Sequence, residues 1–191
     1  MAETIRQIEE APEAYPEITG LIVNERPLDN IAQAERDAFV WQRIEDFTAW
    51  RWSARQVIWI VEGAGEWVPP LAPATVSTVE VWDGTAWAET VPLPSPLGGY
   101  ELPGDGPYRV TASVGGGDVP AAVMQAARRM VEYLSVSSED KRWATSMSHV
   151  DHGSSEAPGG EVRFERYATW IARALHLSGA ADLLRKYRRA S

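Results

Sequence analysis

The chain of 191 residues contains no cysteine. That excludes a disulfide scaffold, thiolate zinc sites and cysteine nucleophiles. Lysine is nearly missing too: all 18 basic residues except Lys141 and Lys186 are arginine. No apolar run approaches the ~18 residues a membrane span requires, so no membrane role is expected. The opening stretch, MAETIRQIEEAPEAYPE, lacks the apolar core of a signal peptide, which fits synthesis in the cytoplasm. Positive charge is also short. Against 27 acidic residues the formal net charge is −9, whereas a general nucleic-acid binder carries a basic footprint.

Hydrophobic residues make up 45% of the chain, enough for a core in one domain or one domain with an appendage. Nine tryptophans are many, and rings of that size need a core or a partner surface. Charge is unevenly spread. Residues 161–191 carry seven basic groups against three acids, leaving a body of about −13 with a basic end. Such asymmetry suggests a contact made by that end.

The chain is organised around residues 107–134, PYRVTASVGGGDVPAAVMQAARRMVEYL. Tyr108, Val110, Ala112 and Val114 alternate with polar residues, which puts them on one face of a strand. Gly115-Gly116-Gly117 breaks the strand, and Pro120 suits a first helical turn, where its missing N–H is not needed. Val123, Ala127, Met130 and Leu134 then form one stripe of a helix.

Before this unit, residues 1–27 read as an acidic arm interrupted by Pro12, Pro16 and Pro27, much of it extended and ordered only on contact, with a short helix carrying Ile5 and Ile8 as the alternative. Asp29 or Asn30 caps a helix over residues 31–52, with Ala34, Ala38, Trp41, Ile44, Phe47 and Thr48 on one face. Phe39 and Trp50 fall outside that arc and are candidates for a subunit interface. Residues 54–115 read as β structure. QVIWIVE (56–62) predicts a strand buried on both faces, and residues 75–82 and 86–91 flank Asp83-Gly84 as a hairpin. Pro92, Pro94 and Pro96 make a stiff irregular passage, followed by a short strand from Gly98-Gly99 to Leu102. After the Pro120 helix, residues 135–160 read as a long loop. Residues 161–176 predict an amphipathic helix with Phe164, Ala168, Ile171 and Leu175 on its stripe. A last helix over residues 180–189 carries Leu183, Leu184 and Tyr187 into the basic cluster.

The chemistry-bearing motifs are sparse. Gly63-x-Gly65 and the triple glycine match no phosphate loop. His149, Asp151 and His152 lie close enough for a metal only with a fourth ligand from elsewhere, and a solvated loop is the simpler reading. No serine sits in a nucleophile elbow. Glu9-Glu10 and Glu45-Asp46 read as solvated carboxylates. Trp59, Trp67, Trp82 and Trp87 fit either a sugar-stacking platform or a core with an interface, and Trp82 and Trp87 are taken as interface candidates. No catalytic, cofactor or metal site is assigned.

In their order and spacing, GPYRVTASVG…DVPAAVMQAARRMVEYL, RQVIWIVEGAGEW with its Pro69-Pro70 exit, the 76–87 hairpin and the closing SGAADLLRKYRR resemble the head–tail connector (adaptor) proteins of long-tailed bacteriophages and gene transfer agents. The resemblance implies an α+β, mainly helical fold. Amphipathic helices would pack with a central antiparallel hairpin or small sheet at about residues 55–115, and the chain would end in a helical tail. It divides the chain into an arm (1–27), a connector domain (28–176) and a basic tail (177–191). It implies a non-catalytic virion protein of the neck: a homo-oligomeric ring, typically of twelve copies, beneath the portal protein and facing a stopper or tail protein. Duplex DNA would pass through the lumen without specific binding. Leu184, Arg185, Tyr187, Arg188 and Arg189 are the candidates for portal contact. Another neck or tail-completion protein, and a Trp-rich carbohydrate-binding module, are the alternatives.

Overall fold

The structure, a computed structural model, describes residues 2–21, 33–145, 152–157, 160–165 and 173–188. Its first element is a strand, β1 (Glu3–Glu9), where an arm ordered only on contact was expected. α1 (Gln33–Thr48) follows, then β2 (Arg55–Glu62), β3 (Gly65–Trp67), β4 (Ala74–Trp82), β5 (Trp87–Thr90), β6 (Leu93–Pro94), β7 (Tyr100–Leu102) and β8 (Tyr108–Val114). The chain continues through α2 (Ala121–Thr145), β9 (His152–Ala157), β10 (Gly160–Glu165), α3 (Ala174–Leu177), α4 (Ala180–Leu183) and a short 3-10 turn (Arg185–Tyr187). About 30% of the described residues are helical and 33% lie in strands, so the expectation of a mainly helical fold is corrected to a sheet-rich α+β one. The excess helix in that expectation came from two places. Residues 160–165 pair with β9 as a strand instead of opening a helix, and α1 ends at Thr48 instead of reaching Trp52.

The chain forms two compact units. The first comprises Met1–Pro16, Glu45–Asp118 and Tyr187–Ser191; the second comprises Glu17–Ile44 and Val119–Lys186. In the first unit an antiparallel sheet of order β1-β2-β8-β4-β5 shares its core with a smaller sheet of order β3-β7-β6. The period-two pattern of β8 is realised in full: Tyr108, Val110, Ala112 and Val114 are buried and the residues between them are not. Val57, Trp59 and Val61 of β2 and Val79 of β4 point to the same side, where they meet Trp67 and Leu102 from the smaller sheet. Burying each of these large side chains is worth about 1.5–3 kcal/mol. β2 buries only that one face; Ile58 and Ile60 on the other are half-exposed.

Two details explain the turns. The expected hairpin is present, with Trp82 paired to Trp87, and Asp83 Oδ1 accepts the N–H groups of Thr85 and Ala86, each at 2.8 Å. Gly115 has φ +84°, and a Cβ there would overlap the Ser53 carbonyl oxygen, so this chain reversal has room only for glycine.

In the second unit α3 and α4 pack on α2 and on each other. Val123, Ala126, Ala127, Met130 and Val131 are fully buried, close to the expected stripe. The Pro120 carbonyl accepts the first helical hydrogen bonds, from Val123 and Met124 at 2.9 and 3.0 Å. Proline therefore stands one residue earlier than expected, as the cap. α2 runs on to Thr145 through a stretch expected to be loop. Serine is only mildly unfavourable in a helix, and no glycine or proline intervenes between Pro120 and Gly153. α1 stops at Thr48, short of the expected Trp52, because Ala49 turns into the left-handed region at φ 55°. Its expected cap at Asp29 or Asn30 lies outside the described residues, as do Ala168 and Ile171.

Candidate partner-binding surfaces

The tryptophans of the β region separate into two pairs. Trp59 and Trp67 are core residues, edge to face at 5.5 Å. Their indole N–H groups donate to Gln7 Oε1 and Thr4 Oγ1, both at 2.9 Å, so two buried polar atoms are satisfied by β1. Trp82 and Trp87 stand on the opposite face of the sheet, paired across the hairpin at 5.4 Å with their planes at 61°. At that angle they do not form one flat stacking face. The Arg109 guanidinium lies 4.8 Å from the Trp87 ring centre and donates to both oxygens of Glu80 at 2.6 Å. Hydrogen bonding from Arg109 holds the Glu80 carboxyl below its ordinary range, and the same bond raises Arg109. This exposed face combines aromatic area with a fixed ion pair, which suits contact with another macromolecule.

A second aromatic group gathers around the chain end. Trp50 and Trp52 stack at 5.8 Å, and the Tyr187 ring meets both edge-on, at 6.0 and 5.5 Å. Arg188 lies over the Phe47 ring at 4.8 Å. Trp50 and Tyr187, one an interface candidate and the other a portal-contact candidate, are thus partners within one chain. Leu184 is fully buried. Arg185 is exposed, 3.2 Å from Asp182. Arg189 lies outside the described residues. Phe39 is exposed, with Arg43 at 5.4 Å from its ring.

Sequence reasoning missed one polar cluster. Glu45, expected to be a solvated carboxylate, is buried at 2% exposure. Arg55 donates to both of its oxygens, at 2.8 and 2.6 Å, and the Trp52 N–H adds a third bond at 2.8 Å. Glu9, also read as solvated, accepts from Arg51 at 2.5 and 3.0 Å and from Arg55 at 3.2 Å. Burial opposes the charge on Arg51, but the hydrogen bond and attraction of Glu9, with help from Glu45 and Asp46, outweigh it and raise the guanidinium pKa. The cluster ties β1 and the end of α1 to the start of β2. The only sequence signal was an arginine placed between two tryptophans, at Trp50-Arg51-Trp52.

Three residues of the histidine cluster, His149, Val150 and Asp151, lie outside the described residues, and His152 opens β9. Among the described residues no group of three or more His, Asp or Glu is placed to hold a metal ion, and no helix is long and apolar enough to cross a membrane.

Searches against protein-family models and against curated proteins found no match. Among solved structures the chain is similar to one in the virion of a native gene transfer agent (GTA) particle. The TM-score is 0.53 at 15% identity, covering 100% of this chain and 96% of that one. It is also similar to a chain in the neck of an empty GTA particle computed with C6 symmetry. There the TM-score is 0.51 at 16% identity, with 98% and 97% covered. At these identities the likeness is one of fold.

Proposed function

We propose that the chain is a structural virion protein of the neck, a head–tail connector (adaptor) that assembles as a ring beneath the portal and joins the capsid vertex to a stopper or tail protein. The observation that carries this reading is the fold likeness to GTA particle chains over nearly the full length of both partners. The motif resemblance in residues 47–134 agrees with it independently, and the symmetry of the neck structure fits a ring. A ring of twelve copies is proposed, acting without catalysis. The acidic body suits a DNA channel, because a lumen that neutralised many phosphates would grip the duplex. The basic end, through Arg185, Arg188 and Arg189, supplies the portal contact, since arginine forks suit carboxylate and carbonyl acceptors.

Native mass spectrometry of the full chain with the portal protein of its own gene cluster tests the reading. A discrete complex of portal and ring is expected; no association at any salt concentration overturns it. Because Leu184 is a core residue, the tail is better tested by R185E combined with R188E than by deletion. Unchanged portal binding by that variant would remove the tail from the contact.

A further inference from the structure

The first unit has two different ends. At one, β1 and β3 lie together, joined by the Thr4–Trp67 hydrogen bond. At the other, β5 passes into β6 through only Val91 and Pro92. Among the described residues eight large apolar side chains are exposed, and five of them sit at these ends. Ile5 and Ile8 on β1 are 59% and 45% exposed; Val91, Leu93 and Leu97 are 89%, 73% and 73% exposed. Scattered single apolar residues need no explanation, but two groups at opposite ends of one unit do.

The second group is also held in shape. Pro92 is buried, Pro94 and Pro96 restrict the backbone, and Ser95 closes a turn. Its N–H donates to the Gly99 carbonyl at 2.8 Å, its hydroxyl accepts from the Leu97 N–H at 3.1 Å, and the same hydroxyl bonds to Glu66. A preordered projection loses little freedom when it docks. Hydrogen-bonded strand addition is hindered along β1 and along β6. β1 is bulged between Thr4 and Arg6, and the prolines lack donors. What the ends offer is side-chain packing. The two ends can join one pair of opposite charges: β1 carries the exposed Arg6 two residues from the second exposed isoleucine, besides the exposed Glu3 and a Glu9 already held by Arg51 and Arg55, and the one charged residue of β5 is the exposed Glu89.

We infer that copies of this chain associate head to tail, with Val91, Leu93 and Leu97 of one copy packed on Ile5 and Ile8 of the next and Glu89 facing Arg6. Two unlike, complementary patches on one chain make a heterologous contact, the kind that closes into a ring. This deepens the ring reading above and rests on it.

The absence of cysteine makes the test direct. L93C and I8C are prepared singly and together in the full chain, with T85C in the exposed hairpin turn as control, and each is treated with a short bis-maleimide. The double variant is expected to give a ladder of covalent multimers. The mixed single variants should stop at dimers, and each single variant alone should give no more than the control. A ladder no stronger than that of T85C, or L93C cross-linking to itself as readily as to I8C, overturns the contact. Portal binding without the ladder would leave the connector reading standing and sink this interface. The ladder without portal binding would do the reverse.

Discussion

Arg55 grips both carboxylate oxygens of Glu45, at 2.8 and 2.6 Å, with 6% and 2% of the two side chains exposed. The pair joins the last turn of α1 to the first residue of β2, with Arg51 and Glu9 alongside. Replacing one partner strands a buried charge, whereas water would otherwise have solvated both. Glu45→Ala should therefore cost about 3–5 kcal/mol. It also leaves the Trp52 N–H without its acceptor. Urea unfolding measures this, and a loss below about 1 kcal/mol, the range of surface pairs, would show the cluster to be solvated.

Two carboxylates of the β4–β5 hairpin should titrate low. Backbone N–H groups of Ala86 and Thr85 hold Asp83 below its ordinary value of 3.8, and Arg109 holds Glu80 below 4.5. A depressed folded-state pKa means that the carboxylate's contribution is present above the ordinary value and is lost as pH falls through the lowered one. Carboxyl chemical shifts followed by NMR should show both midpoints below those values. R109A should return Glu80 toward 4.5 and leave Asp83 unmoved.

Gly115→Ala combines a left-handed φ with overlap on the Ser53 carbonyl. The backbone strain alone is worth about 1–3 kcal/mol. Displacing Ser53 adds to it, at the join between β8 and the segment leading to α2. Thermal unfolding should show a clear loss of stability for this variant. Gly84→Ala, where nothing lies within 4 Å, bears only the strain term. Equal losses in the two variants would mean that Ser53 yields freely.

Charge exchange tests the head-to-tail contact without touching its apolar residues. Arg6→Glu should weaken self-association, with added salt now strengthening it by screening the like charges, and adding Glu89→Arg to the same chain should restore the contact, because each interface then again joins opposite charges. Sedimentation velocity reads both outcomes. Failure of the second change to rescue the first would separate Arg6 from Glu89.

Local pattern was legible where the chain's period matches its burial. The alternation in β8, the Asp83-Gly84 hairpin and the α2 stripe at Val123, Ala127 and Met130 were read from residue spacing alone, since each is set by neighbours within a few residues. β10 was misread because Val162 and Phe164 satisfy period two while the wider 161–176 window also fits a helical stripe. Short apolar patterns do not separate the two. The arm was misread because its seven strand residues are charged or polar except Ile5 and Ile8, and nothing local shows that β2 offers them an edge.

The sequence by itself determined the acidic body with its basic end, the cysteine-free chemistry, the central strand and the helix after the triple glycine. These follow from composition and from contacts close along the chain. Only the tertiary structure decided which carboxylates are buried, because the partners of Glu9 lie more than forty residues away. It likewise decided which tryptophans are core, and that Leu184 faces inward while Leu93 faces out. Charges and rings carry no mark of their surroundings until distant strands bring those surroundings to them.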